Sequence, residues 1–195
     1  MEIKLIDCCG DLTYEDFEKA ERLLGITFPK SFKKLLYGCD KGHIVEGSIR
    51  FFDKSVDRID GSALSDFLSF KPQEELEIKP WEIDEDALIE KCDKIPKPAL
   101  PEIVEENLNP PEYFSKNLII FSFDGCGNAF CFDYRGGKDN PDPPVVFWAH
   151  EAAGMPNAIS PIADNFESFI AMLKSYEDAE AEFAALQKQH AAQDE

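Results

Sequence analysis

The chain has 195 residues with 39 acidic against 20 basic side chains, a formal net charge of −19, and 44% hydrophobic residues including 16 Phe. That composition supports one domain with a packed core, and its length needs no metal or disulfide to be stable. The negative field repels nucleic acid and anionic membrane, so neither is expected as a partner; it either favours basic proteins, whose capture it would speed, or serves solubility alone.

The opening residues lack a basic flank followed by an apolar run, so no signal peptide is expected; no apolar stretch approaches a membrane span, and a cytoplasmic location is expected. Ile3 to Ile6 have the composition of an edge strand. Thr13 with Asp16 three residues on forms a loose capping box, opening a helix whose Phe17, Ala20, Leu23 and Leu24 recur at helical spacing before Gly25 caps it. Pro29 suits the first position of a second helix, with Phe32, Leu35 and Leu36 inward and Lys30, Lys33 and Lys34 toward water. Residues 44–52 have strand composition broken by Gly47. Residues 57–70 are mixed, with a helical turn or two expected over 62–67.

Residues 70–113 differ in character. They hold Pro72, Pro80, Pro96, Pro98, Pro101, Pro110 and Pro111 and thirteen acidic residues against five lysines. A helical pattern runs through 81–92, with Asp84, Glu85 and Asp86 favourably near its start. The rest reads as an acidic, proline-broken insertion lying over the core, a solvated loop or an arm that meets a partner.

The centre of the chain is 118–150. An apolar run over 118–123 ends in Asp124-Gly125-Cys126-Gly127-Asn128, and residues 129–134 then alternate. These two runs read as a hairpin, and the apolar run 145–149, after a Gly-, Asp- and Pro-rich loop, as the next strand. Residues 152–161 look like loop. Asp164 or Asn165 caps a helix with a Phe166, Phe169, Ile170 and Leu173 stripe, expected to pack on the sheet. An acidic helical tail follows from Tyr176, its last residues fraying.

Little here carries chemistry. The six cysteines, without a secretory context, read as reduced and mostly buried thiols. Cys39-x3-His43 lacks a second ligand pair for zinc, leaving Cys39 in the core and His43 in a loop. Cys131, Asp133 and His150 lie on neighbouring strands, but an oriented pair and an oxyanion site are not readable, so no enzyme is expected. The 124–128 turn fits neither a Walker loop nor an EF-hand, and Asp133, Asp139 and Asp142 read as solvated charges. No cofactor or metal is expected. Tyr134 and Trp148 would anchor an interface if exposed; Trp148 is expected in the core.

Three segments carry a family resemblance. Glu21-Arg22-Leu23-Leu24-Gly25-Ile26-Thr27-Phe28-Pro29-Lys30-Ser31-Phe32 with Leu35-Leu36, the hairpin from Leu118 through Asp124-Gly125-x-Gly127-Asn128 to Phe132-Asp133, and Ile162-Ala163-Asp164-Asn165-Phe166-Glu167-Ser168-Phe169-Ile170 together resemble the SUKH superfamily, in particular its Smi/Knr-like domains. Where that family often has Asn-Gly-Gly after the second helix, this chain has Gly38-Cys39-Asp40-Lys41-Gly42. The resemblance implies a single α+β domain, a curved, mainly antiparallel sheet packed by N- and C-terminal helices, over residues 1–176 with the insertion at 70–113 and the tail at 177–195. It also implies a non-catalytic module: many bacterial members are immunity proteins that neutralise a cognate toxin, and fungal members act as regulatory scaffolds. The partner expected is a basic toxin domain, a nuclease among the candidates, met by a monomer or weak homo-oligomer. Its contacts are expected from Glu46, Asp53, Asp133, Tyr134, Asp139 and Asp142.

Overall fold

A computed structural model describes residues 3–72 and 100–191. The helical pattern expected over 81–92 and the last residues of the tail lie outside them.

The central hairpin forms as its pattern dictates. Strands β5 (Leu118–Asp124) and β6 (Ala129–Asp133) pair antiparallel, Leu118 opposite Asp133 and Phe123 opposite Ala129, with a bulge between Ile120 and Ser122. The five-residue turn is built by Asp124, whose Oδ1 accepts the Cys126 and Asn128 N–H groups at 2.9 Å each, while Gly127 takes a φ of +87°. A short Asx side chain thus replaces the backbone bonds the turn cannot make. β7 (Val145–Trp148) pairs with β6, and its four residues are all buried, Trp148 among them.

The remaining strands are β1 (Leu5–Ile6), β2 (His43–Ile44), β3 (Ser48–Asp53), β4 (Arg58–Phe67) and β8 (Ile159–Ala163). All pairings are antiparallel, in the order β1-β2-β4-β5-β6-β7-β8, with β3 paired to β4 off that path. The ten-residue β4 explains the branch. Its first part pairs with β3, its last part with β5, and the register shifts between Leu64 and Phe67. Such an irregularity bends a strand, and here the β3–β4 ribbon folds over the far strands. The Phe51 ring lies 4.8 Å from that of Phe147 on β7, and the Ser160 hydroxyl of β8 donates to the buried Asp53 carboxylate at 3.1 Å. The sheet is therefore strongly curved but not closed.

Helices α1 (Tyr14–Leu24), α2 (Lys30–Leu36), α3 (Glu102–Leu108), α4 (Phe166–Met172) and α5 (Tyr176–Ala191) complete the α+β domain. The Asp16 carboxylate accepts both the Thr13 N–H (3.0 Å) and its hydroxyl (2.7 Å) at the start of α1, and Gly25 closes it in the left-handed region at φ +68°. Asn165 caps α4, accepting the Ser168 N–H at 2.8 Å. Phe32 of α2 sits at the hub of the core, its ring against Phe28, Phe67, Phe70, Phe121, Phe132 and Phe166.

Several expectations are corrected. Residues 62–67 are strand, not helix, because they form the end of β4. Residues 159–161 belong to β8 rather than a loop; Pro161 is tolerated because β8 pairs in the sheet only with β7 and lies at its edge. Inside the expected loop-like insertion, α3 buries Ile103 and Val104 completely. The Asn107 side chain donates to the Ile120 carbonyl (2.9 Å) and accepts the Ile120 N–H (2.7 Å), standing in for a neighbouring strand along β5. Lys33 does not face water but meets Glu21 at 2.7 Å with only 17% of its side chain exposed. Among the described residues, Cys8 and Cys39 are joined in a disulfide, Cys9 and Cys126 are exposed thiols and Cys131 is a buried one, against the expectation of reduced, mostly buried cysteines. His43 lies in β2, not in a loop, with Nδ1 3.1 Å from Asp66.

Candidate functional site

The residues expected to carry contacts or chemistry fall into two places. The first is the turn end of the central hairpin. Asp124 is buried, and its Oδ2 accepts the Ser62 hydroxyl (3.0 Å) and the Asn128 side-chain amide (2.8 Å). The Asn128 Oδ1 receives the His150 backbone N–H at 3.0 Å and lies 2.9 Å from His150 Nδ1. His150 Nε2 is 3.2 Å from Glu151. This chain of bonds ties β4, the hairpin turn and the one-turn 3₁₀ helix His150–Ala152 together.

His150, Cys131 and Asp133 are each engaged separately. Cys131 is wholly buried opposite Val146, and burial pushes its thiol well above the usual range, with the Asp133 charge adding to it. A thiol kept protonated in the core is a packing group. Asp133 receives Arg135 at two points, Nε to Oδ1 (2.8 Å) and Nη2 to Oδ2 (2.7 Å), and this pairing holds its carboxyl below the ordinary value against the opposing effect of burial. Among the described residues, no group of three or more His, Cys, Asp or Glu side chains is placed to hold a metal ion.

The second place is the loop from β6 to β7 with the corner between α1 and α2. Tyr134, at 1% exposure, donates its hydroxyl to the Thr27 carbonyl at 2.5 Å, anchoring the base of the loop to that corner. Residues 135–142 are exposed, Asp139 and Asp142 among them. Between loop and corner runs an open groove of about 380 Å³, walled by Glu18, Glu21, Arg22, Lys138 and Asp139. Glu21 secures the corner itself: its Oε1 accepts the Phe28 N–H at 2.8 Å as well as Lys33.

Of the six expected contact residues, Glu46, Asp139 and Asp142 are exposed. Asp133 is half-buried and committed to Arg135. Tyr134 and Asp53 are buried, correcting their expected place on an open surface: each uses its polar group to join two parts of the fold. The loop brings Asp139 and Asp142 to one region, whereas Glu46 stands apart in the turn between β2 and β3. Glu18, Arg22 and Lys138 had escaped notice; the four-residue spacing of Glu18 and Arg22 was the available signal, since it puts both on one exposed face of α1.

The residues that fix this geometry fall within the span of a known family. The SMI1 / KNR4 family (SUKH-1) matches residues 11–172. The chain belongs to that family. No curated protein matches the chain. SUKH proteins are associated in general with immunity and toxin binding. In this SUKH domain the residues that carry the resemblance act as architecture: Glu21 buttresses the first corner, Gly25 ends α1, Phe32 fills the core, Asp124 and Asn128 shape the hairpin, and Asn165 caps α4. No helix of the described residues is long and apolar enough to cross a membrane.

Proposed function

We propose that this chain is a non-catalytic, cytoplasmic protein-binding module, an immunity-type protein that neutralises a basic toxin domain, a nuclease being the class that best suits its charge. The observation that carries the reading is the excess of 39 acidic over 20 basic residues on a SUKH domain. A nuclease must offer a basic groove to a polyanion, and an acidic protein meets that groove with complementary charge, gaining association rate and specificity. Glu46, Asp139 and Asp142 are the exposed carboxylates offered, with Asp133 at the loop base. The separate engagement of His150, Asp133 and Cys131 supports a non-catalytic role.

A second reading, a regulatory scaffold for other proteins, draws on exposed aromatic surface. The Tyr14 and Tyr37 rings meet at 4.9 Å and are each more than half exposed, a pairing suited to contacts that salt does not weaken. A pull-down from native lysate with the tagged full chain, washed at low and high salt, separates the two. One basic protein retained at low salt and lost as salt rises supports neutralisation of a toxin. Several neutral proteins retained at both salts support the scaffold instead.

A further inference from the structure

Residues 5–10 are held to the domain by few bonds. Leu5 and Ile6 pair with Ile44 and His43, Gly10 bridges to Asp40, and the Cys9 N–H donates to the Asp40 carbonyl at 2.8 Å. Across this seam the Cys8–Cys39 disulfide closes a loop with a sequence separation of 31, which contains α1 and α2 and so much of the aromatic core. Space is kept for the bridge: Gly42 is buried, and a Cβ there would lie 2.5 Å from the Cys39 sulfur and 3.2 Å from Leu5. The two half-cystines differ in access. Cys39 is 8% exposed at the end of α2, whereas Cys8 is exposed on the arm.

We infer that Cys8–Cys39 is a reversible thiol–disulfide exchange site, accepting small thiols of the glutathione class, which locks residues 5–10 onto β2 and releases them on reduction. A thiolate attacks the accessible Cys8 sulfur, forming a mixed disulfide there while the Cys8–Cys39 bond breaks and Cys39 leaves as a thiolate that takes a proton from water. A second thiol attacks the mixed disulfide, giving the free Cys8 thiol and the oxidised small-molecule disulfide. Two thiols thereby supply the two electrons that the protein disulfide gains. Once the bridge is open, a two-residue strand pairing is too short to hold the arm, and the outer edge of β2 is uncovered. Oxidised glutathione reverses the steps. In a reducing cytoplasm the released form dominates, and an oxidative shift restores the locked one.

The full-length chain, equilibrated in glutathione buffers from fully oxidised to fully reduced, tests this by alkylation and mass spectrometry at Cys8 and Cys39 with amide hydrogen exchange. The pair is expected to convert within that range. Reduction should speed exchange at residues 5–10 and at His43 and Ile44 by about tenfold or more, while the β5–β6 hairpin stays protected. Cys8→Ser should match the reduced wild type in both buffers, and Cys9→Ser should keep the conversion. A pair still bridged in fully reduced buffer, one never bridged in oxidised buffer, or a conversion that leaves exchange at 5–10 unchanged would each overturn the proposal. The wild-type arms decide the matter even if a variant fails to fold.

Discussion

Tyr134 and Asn107 show how single polar groups fasten this fold. Tyr134→Phe deletes the bond to the Thr27 carbonyl and should cost about 1 kcal/mol in urea denaturation near neutral pH. Asn107→Leu strands both the N–H and the carbonyl of Ile120 and should cost about 2–4 kcal/mol by the same measurement, one desolvation penalty for each group. The titration of these buried groups has a definite sign. Burial, then the Glu21 and Asp142 charges, push the Tyr134 phenol up, and burial with Asp133 does the same for the Cys131 thiol. Both groups stay neutral in the folded state to higher pH than in the unfolded chain. Their contribution is whole below the unfolded values, about 8.5 for a thiol and about 10 for a phenol, and is lost as pH rises past them. Denaturation midpoints followed upward from about pH 9 should therefore fall, and less steeply in Tyr134→Phe than in the wild type. Asp133 has the opposite sense: Arg135 holds its carboxyl down, so its contribution is present above about pH 4 and lost below.

At the scale of elements, α5 depends on a cross-strand arrangement on β3 and β4. Arg50 lies opposite Gly61 and reaches out to pair with Glu180, its guanidinium 4.7 Å from the centre of the Phe183 ring. A Cβ on Gly61 would collide with that guanidinium, so Gly61→Ala must push Arg50 aside. We expect faster amide exchange around Ala179 and Phe183 in that variant, with the β5–β6 hairpin unchanged. Much of the architecture was legible because local chemistry and tertiary packing agree. The Thr13–Asp16 box, Gly25, Asn165 and the apolar runs of β5 and β7 each specify their element without help from distant residues. What was not legible depends on partners far along the chain. β4 carries Asp60, Gly61 and Ser62, residue types that disfavour strands; they become strand because β3 pairs along them and Ser62 meets Asp124. β8 contains Pro161 and is strand only through β7. Asp53 and Tyr134 read as surface residues because their acceptors and donors, Ser160 and Thr27, lie more than a hundred residues away. The Cys8–Cys39 pairing had no local mark in the spacing of the cysteines.

At the scale of the whole molecule, the net charge of −19 and the SUKH fold lead to one physical expectation. Binding to the basic toxin domain proposed above should draw on long-range attraction, and that attraction is screened once the Debye length shrinks to about 3 Å near 1 M salt. Reversing Asp139 and Asp142 to Lys removes two exposed carboxylates of the β6–β7 loop without touching the buried bonds of Tyr134 or Asp53. The most direct measurement is the affinity of the full chain for a basic protein captured in the pull-down, by titration calorimetry across a salt series, for wild type and for the Asp139→Lys, Asp142→Lys double variant. The wild-type affinity should fall steadily with salt, and the variant should bind about tenfold or more weakly at low salt while converging on the wild type at high salt. An affinity indifferent to salt and to the charge reversal would contradict the proposed toxin binding.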